Sequence, residues 1–461
     1  METEAITNQQ QPLLYKEQQS LTRPEFMLHV HALTEGLPEQ TYALNLCKDR
    51  GNFMCAFIAC ALAGKTNLLP SGQNERAVRD STEQYTDFFI ISDNELDYEL
   101  NRPHIKINIW QVKDNNGAII REPHIQDSKT PKVEQLNYEQ IQNYIAEDIR
   151  CAIAFTSGST GKPKANNKHW ASLKGAAQRL ANRFKIDSSH CLLATVPSQH
   201  MYGLEMTVML SLVSGCSIRC EQPFFPADVS HALMKLKQGV LVTTPAHLRV
   251  LQSLSKEVSG QLHCIVSATA PLALSLAQSI EQLFQCPLLE DYGCTEAGSF
   301  ATRQTSKDIT WVCLEGIELK QVQQETQLTL PYFSDPVILE DRINIVDKQH
   351  FQFLGRGQDM VNIGGKRSSL TDLNLKLLEI EGIDDSVLFV PKDSERPAAL
   401  VVSNLTRERL RSLFAKHIDA VFLPRPLLKV KSLGRDATGK LKQQALEDLL
   451  RTTRLEQEHN D

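Results

Sequence analysis

Short strand-like apolar segments alternate with amphipathic helical segments through the middle of this chain, and that alternation constrains the fold most. Strand-like runs at residues 151–155, 192–196 and 264–267 are separated by helical patterns that include residues 170–184 and 246–254. In such an order the strands pair in parallel and the helices cover the faces of the sheet. The sequence therefore predicts an α/β fold with a largely parallel sheet.

The pattern changes after Gly355. Ser369-x-x-Asp372 resembles a capping box before an apolar helix, and strands at 386–390, 399–402 and 427–433 follow, with helices at 407–418 and from 442. We expect a large N-terminal α/β domain, residues 1–355, and a small, mobile α+β C-terminal domain, residues 356–461. Residues 1–25, rich in Gln and Glu, are expected to be frayed.

Composition narrows the class of protein. The formal net charge is 49 − 55 = −6, which gives no overall attraction for nucleic acid or for an anionic membrane. The longest apolar stretches are too short to span a bilayer, so we expect no stable membrane insertion. None of the 11 cysteines forms a CxxC pair, a pattern that favours reduced core thiols and a cytoplasmic location.

A loop rich in Gly, Ser and Thr directly follows the strand at 151–155. Backbone N–H groups and hydroxyls in such a loop converge on an anion, and lysines add positive charge. The anion-binding candidates are Thr156, Ser157, Gly158, Ser159, Thr160, Gly161 and Lys164. The glycine spacing differs from the GxxxxGK[ST] pattern of P-loop proteins, which disfavours the alternative of a phosphotransfer NTPase.

The run FTSGSTGKPK at 155–164 resembles the phosphate loop of the adenylate-forming superfamily, which includes acyl- and aryl-CoA synthetases, nonribosomal adenylation domains and luciferases. The sequence DYGCTE at 291–296 resembles the YGxTE element of that superfamily. The resemblance implies that Tyr292 packs on adenine, that Thr295 contacts the α-phosphate and that Glu296 binds Mg²⁺. A hard cation prefers carboxylate and phosphate oxygens, in agreement with that role.

Other motifs follow the same order. The sequence SATAP at 267–271 resembles the adenine loop, with Ala268 in place of a glycine. Asp341 lies 355 − 341 = 14 residues before Gly355, the interval that separates the ribose-binding Asp from the domain junction in the superfamily. The resemblance implies that Asp341 contacts ribose, with support from Arg356. The sequence GKR at 365–367 resembles a GxR motif whose Arg367 would face phosphate or the thiol-bearing cofactor. The run 433–441 resembles the LPRTxTGK element, which implies that Lys440 bridges carboxylate and phosphate.

The sequence HMYG at 200–203 resembles the HxxG element of the acyl pocket. His200 is expected to line that pocket and is a candidate catalytic base, and Tyr202 and Cys294 would help to shape the pocket. The superfamily's hinge position falls at Gln358. Gly355 lies only 355 − 296 = 59 residues after Glu296, a shorter interval than is usual in the superfamily, so the third subdomain of the large domain is expected to be small. This compact third subdomain resembles the AMP-ligases of aryl-polyene clusters, which favours an aromatic acid.

The resemblance implies an ATP-dependent acid–thiol ligase. A fatty or aromatic carboxylate would attack ATP in the presence of Mg²⁺, giving acyl-AMP and pyrophosphate, and the acyl group would pass to the thiol of CoA. The phosphopantetheine of an acyl carrier protein is the alternative acceptor. The implied catalytic residues are Lys440, Thr295, Glu296 and His200. An alternative of another class is a catalytically silent protein of the same fold that binds AMP or ATP.

Overall fold

The computed structural model describes residues 11–110, 136–157, 163–254, 258, 261–323, 325–356, 360–363, 366–392, 394, 396–435, 439 and 441–458. The strands in chain order are β1 (Pro12–Lys16), β2 (Gln19–Thr22), β3 (Tyr42–Asn45), β4 (Thr66–Leu69), β5 (Phe88–Ser92), β6 (His104–Lys106), β7 (Arg150–Ser157), β8 (Pro163–His169), β9 (Cys191–Ala194), β10 (Ser217–Arg219), β11 (Gly239–Thr243), β12 (Leu262–Ser267), β13 (Leu288–Cys294), β14 (Gly298–Arg303), β15 (Trp311–Cys313), β16 (Glu318–Val322), β17 (Glu325–Thr329), β18 (Val337–Leu339), β19 (Asp341–Ile345), β20 (His350–Arg356), β21 (Met360–Ile363), β22 (Lys366–Ser369), β23 (Ile383–Phe389), β24 (Ala398–Ser403) and β25 (Leu427–Lys429).

The α-helices in chain order are α1 (Arg23–Glu35), α2 (Arg50–Leu62), α3 (Glu75–Thr82), α4 (Tyr138–Tyr144), α5 (Trp170–Phe184), α6 (Met201–Gly203), α7 (Leu210–Ser214), α8 (Pro226–Leu233), α9 (Pro245–Leu251), α10 (Leu274–Phe284), α11 (Leu370–Leu378), α12 (Arg407–His417) and α13 (Gln443–Glu458). A π-helix, Leu204–Met209, joins α6 to α7, and a 3₁₀ helix covers Ala420–Phe422.

Two large sheets carry most of the strands. One has the order β6-β5-β3-β4-β7-β8 and is parallel except for the antiparallel β7–β8 pair. The other runs β19-β20-β15-β14-β13-β12-β11-β9-β10-β1-β2, parallel from β13 to β1 and antiparallel at both ends. The predicted α/β fold with a largely parallel sheet is therefore confirmed.

The main core lies between these sheets. Its apolar cluster joins Phe53 and Phe57 of α2 to Leu69 of β4 and Val242 of β11, so both sheets contribute to it. Because α2 is apolar around its circumference, it is buried along almost its whole length. The cysteines are all free; ten are buried and Cys294 is half-buried, as expected for core thiols.

The N-terminal segment differs from the prediction. Residues 12–22 were expected to fray but form the β1–β2 hairpin at one edge of the large sheet, where Leu14 pairs with Ile218. Leu13 and Leu14 are buried, and this apolar contact offsets the polar composition of the segment. A capping box between Thr22 and Glu25 then starts α1.

The part of the chain after residue 360 has apolar clusters of its own. One is built from side chains of α11, α12 and the β23–β24–β25 sheet, including Leu373 and Phe414. The predicted capping box at Ser369 is wrong: Ser369 occupies the N-cap position of α11, but its side chain accepts no cap hydrogen bond. Its buried hydroxyl is instead turned toward Gly355 of β20. Within the described ranges, no helix is both long enough and apolar enough to cross a bilayer.

Candidate active site

The predicted phosphate loop connects two antiparallel strands. Thr156 at the end of β7 pairs in register with Lys164 at the start of β8, so the two ends of the loop lie side by side. Of the predicted loop residues, Gly158, Ser159, Thr160 and Gly161 lie outside the described residues, as does the side chain of Ser157.

Strand β8 presents a polar row toward the site. Side chains on a strand alternate between its faces, so residues 164, 166 and 168 share one face. Asn166 is buried and donates from Nδ2 to the Ala154 carbonyl and to Thr156 Oγ1, both at 3.4 Å. Lys168 is also buried and donates to the carbonyl oxygens of Thr295 and Glu296. The sequence motifs do not single out Lys168, because the run of polar residues at 166–169 gives no local signal that this lysine is buried.

The phosphate loop and the YGxTE-like element meet through an ion pair. Lys164 Nζ lies 2.8 Å from Glu296 Oε1, although 132 residues separate them in the sequence. Burial by itself would raise the pKa of Glu296, but the hydrogen bond and charge of Lys164 lower it below its ordinary value. The Glu296 carboxylate is therefore ionised at neutral pH and remains partly exposed to solvent.

The residues predicted to bind adenine and ribose are also brought together. Tyr292 donates its hydroxyl to Asp341 Oδ2, across 49 residues of sequence. The Tyr292 ring packs against four aromatic rings, those of Phe300, Trp311, Phe351 and Phe353, with centroids 4.9–5.8 Å away. This packing limits the orientations open to the ring and directs its hydroxyl to Asp341.

Asp341 begins β19 and pairs in register with Arg356 at the end of β20. The predicted Asp–Arg association is therefore supported at the level of the backbone, while the Arg356 side chain lies outside the described residues. Arg367 lies on the β21–β22 hairpin, where it pairs with Asn362, and its side chain is likewise outside the described residues. Its neighbour Lys366 forms an exposed ion pair with Asp419.

The HxxG-like element packs against the strand that leads into the adenine-loop motif. Tyr202 donates its hydroxyl to the Val266 carbonyl at 2.8 Å, two residues before Ala268. His200 is half-buried and occupies the N-cap position of α6. Gly203 approaches the preceding chain so closely that a Cβ atom there would lie 1.9 Å from the Pro197 carbonyl oxygen, so glycine is required at this position.

Two buried carboxyl groups, those of Glu205 and Asp291, have no role assigned by the motifs, although Asp291 lies within the DYGCTE run. Ser299 Oγ lies 2.7 Å from Glu205 Oε2 and 2.7 Å from Asp291 Oδ2. One hydroxyl has only one proton to donate, so the second contact requires a proton on a carboxyl group. Because burial raises the pKa of Asp291 to about 8, Asp291 is the group that holds this proton at neutral pH.

The segment that precedes Lys440 is held by partly exposed charges, although Lys440 itself lies outside the described residues. Asp385 accepts two hydrogen bonds from Arg435, at 2.7 and 2.8 Å, and lies 3.5 Å from Nη1 of Arg249 on α9. Arg435 also donates to the carbonyl of Gly439 at 2.9 Å. We call Arg249, Asp385 and Arg435 the ion triad.

The donor set fits a magnesium ion better than a transition metal. Among the described residues no three His, Cys, Asp or Glu side chains form a cluster that could hold a metal. Mg²⁺ is commonly bound by one or two carboxylates together with substrate phosphates. The partly exposed Glu296 carboxylate, beside the lysine of a phosphate loop, meets that requirement.

Comparison with known proteins identifies a family and several relatives. Residues 2–358 match the sequence profile of the AMP-binding enzyme family. The chain is 21% identical over 315 residues to the 3,4-dihydroxybenzoate–[aryl-carrier protein] ligase of Bacillus anthracis, covering 66% of this chain and 75% of that protein. It is 27% identical over 301 residues to the 4-coumarate–CoA ligase of Halorhodospira halophila, covering 62% and 73%.

Solved structures share the fold. The O-succinylbenzoate coenzyme A synthetase of Bacillus subtilis, in complex with ATP and magnesium ion, superimposes with a TM-score of 0.76 at 18% identity, over 97% of this chain and 98% of that chain. The likeness extends through both the large sheets and the part after residue 360. Since the family profile covers most of the sequence, this chain belongs to the AMP-binding enzyme family.

Proposed function

We propose that this protein is an AMP-forming acid–thiol ligase that activates a small fatty or aromatic carboxylic acid with ATP and Mg²⁺. The observation that carries the proposal is the convergence of separate motifs. The phosphate-loop residue Lys164 contacts Glu296, and Tyr292 of the same element contacts Asp341. Residues expected to bind phosphate, metal, adenine and ribose thus come together from three distant segments of the chain.

The proposed reaction has two steps. A carboxylate oxygen attacks the α-phosphate of ATP, the bond to the β-phosphate breaks, and pyrophosphate leaves. A thiol then attacks the acyl carbon of the mixed anhydride, and AMP leaves. Negative charge grows on phosphate oxygens in the first step, so fixed cations and N–H donors accelerate it.

The chain supplies donors for that charge. Lys164 lies beside Glu296, and we assign N–H donors for phosphate to the 156–164 loop. We assign the α-phosphate contact to Thr295 and the carboxylate–phosphate bridge to Lys440. Glu296 would hold Mg²⁺, which when bound offsets charge on the triphosphate. His200, Tyr202, Ala268 and Cys294 are assigned to the acid pocket, with His200 also a candidate base.

The proposal also assigns a separate role to each of the two predicted domains. Residues 1–355 would bind ATP and the acid, and residues 356–461 would act as a mobile lid that brings in Lys440. The separate apolar clusters after residue 360 support this division. The free cysteines support a cytoplasmic location.

The names of the relatives leave two acceptors open, since one is an aryl-carrier protein ligase and another is a CoA ligase. The test is to incubate the protein with ATP, Mg²⁺ and a panel of aromatic and fatty acids, and to separate the nucleotide products. We expect acid-dependent AMP and pyrophosphate; ADP and phosphate would contradict the proposal. CoA and a holo-carrier protein, supplied separately to preformed adenylate, then identify the acceptor by which thioester forms.

A further inference from the structure

The turn between β13 and β14 carries Thr295 and Glu296, and two buried side chains of opposite charge hold it from different elements. Lys168 projects from β8 and Glu205 from the π-helix that follows the HxxG-like element. Lys168 is 3% exposed and Glu205 is 2% exposed. Charged side chains are rarely buried to this degree unless their charge is compensated.

Lys168 binds the main chain of the turn rather than a carboxylate. Its Nζ donates to the Thr295 carbonyl and, at 3.0 Å, to the Glu296 carbonyl. Each trans peptide group is planar, so fixing these two carbonyls fixes the orientation of the peptide groups that follow Thr295 and Glu296. The positions of both Cα atoms, and the starting directions of both side chains, depend on these contacts.

Glu205 holds the other end of the turn. Its Oε2 accepts from the Ser299 N–H at 3.0 Å and from Ser299 Oγ at 2.7 Å. Gly298, with φ of +76°, lies so close that a Cβ atom there would be 2.4 Å from Glu205 Oε1. A larger residue at 298 would therefore displace the carboxylate or the turn.

Lys168 and Glu205 form no direct ion pair among the contacts of the described residues, but their opposite charges favour one another across the turn. Burial lowers the pKa of Lys168, and the nearby negative charge of Glu205 acts in the opposite direction. Burial raises the pKa of Glu205, while the hydrogen bonds from Ser299 and the charge of Lys168 lower it. Removing either of two opposite buried charges leaves the other less compensated, which destabilises the folded state.

We propose that Lys168 is a positioning residue for adenylation: it fixes the Thr295–Glu296 main chain so that both side chains remain in place for MgATP, with Glu205 as its counter-charge. The inference rests on the proposed function for the roles of Thr295 and Glu296. Lys168 then has an effect on the affinity for MgATP that is separate from its effect on the stability of the fold.

The experiment compares four variants with the wild type: Lys168→Met, Lys168→Arg, the double variant Lys168→Met/Glu205→Gln, and Asn167→Ala. Asn167 is exposed on the opposite face of β8 and serves as the matched control. Three quantities are measured: the thermal midpoint, the calorimetric affinity for a non-hydrolysable ATP analogue with Mg²⁺, and the Mg²⁺ concentration that half-saturates acid-dependent pyrophosphate exchange.

We expect Lys168→Met to lower the thermal midpoint and to weaken MgATP-analogue binding by about 10–100-fold, the usual effect of losing a residue that orients a metal ligand. The double variant has no buried charge to compensate, so it should regain the thermal midpoint but not the affinity. Lys168→Arg should retain part of the affinity, and Asn167→Ala should match the wild type.

Recovery of affinity together with stability in the double variant would overturn the proposal, because Lys168 would then be only a charge partner in the core. Wild-type affinity in Lys168→Met would overturn it as well. If wild-type protein binds the MgATP analogue but forms no acyl-AMP with any acid, the proposed reaction fails, while the binding comparison still decides the role of Lys168.

Discussion

Opposite charges hold two segments of this chain, the turn at Thr295 and Glu296 and the segment that includes Arg435 and Gly439. The turn is held by Lys168 and Glu205, both almost fully buried. The second segment is held by the ion triad, whose side chains are 17–21% exposed. Removing one member of a buried ion pair costs about 3–5 kcal/mol, and a fully exposed pair contributes about 0–1 kcal/mol. The ion triad, which is partly exposed, lies between these limits.

This difference in burial matches the different roles that the two segments have in the proposed reaction. Groups that bind MgATP must be in place before the substrate arrives, and a buried pair gives them a fixed position. In that proposal the segment before Lys440 docks for adenylation and leaves for thioester formation, and partly exposed ions separate at a smaller cost than buried ones. Gly439, one end of that segment, lies against Thr244 and Ala246 in this structure.

The largest expected effect is that of Lys440→Ala. Loss of a positioned cation at the developing phosphate charge should slow adenylation by about 10²–10³-fold. Thioester formation from supplied acyl-AMP should be retained, because the second step needs no attack on phosphate. Single-turnover assays of each half-reaction measure both rates. Equal loss in both half-reactions would show that the docked segment has no separate role in adenylation.

Asp385→Asn should have a smaller effect, confined to the docking segment. We expect adenylation to fall by about tenfold, since removal of the carboxylate that joins Arg249 to Arg435 disfavours the docked arrangement by roughly 1.4 kcal/mol. Exchange by the wild type should also decline with salt, because exposed charges are screened. Asp384→Asn, at the exposed neighbouring position, is the control. Equal effects at 384 and 385 would argue against docking by the ion triad.

Asp291→Asn should have the smallest effect, seen only in the pH dependence of stability. The pKa of Asp291 is raised by burial from 3.8 to about 8, so between these values the folded protein holds a proton that the unfolded chain has released. Wild-type stability therefore decreases as pH rises through this window and levels off above about pH 8. Asparagine stays neutral, so the variant should unfold a few degrees higher at alkaline pH and match the wild type under acidic conditions. A constant difference across thermal scans would contradict this account.

Much of the fold could be predicted from sequence because local pattern and final structure agree. The helix expected at residues 170–184 is α5, Trp170–Phe184. The strand expected at 427–433 is shorter in the structure, Leu427–Lys429, because its pairing with β24 ends there. Apolar residues continue beyond this point, so the sequence pattern alone overestimates the length of the strand. The capping box at Ser369 failed because its hydroxyl packs toward a residue distant in sequence, which no local pattern reveals.

The residues of the candidate site also fall into those that sequence motifs identify and those that only the fold reveals. Tyr292, Asp341 and Glu296 could be named as candidates, because their short motifs resemble those of a known superfamily; their roles stay predictions. Lys168 and Glu205 could not, because their significance depends on two strands and a π-helix meeting around one turn. A buried lysine and a surface lysine look alike in sequence, and only the fold distinguishes them.

The proposed reaction joins a carboxylic acid to AMP. Its most direct test is exchange of labelled pyrophosphate into ATP by the wild-type protein, with Mg²⁺ and a panel of acids but without any thiol. We expect label in ATP only when a suitable acid is present, because the reverse of adenylation requires the acyl-AMP. Acid-independent release of ADP and phosphate, without exchange for any acid in the panel, would contradict the account.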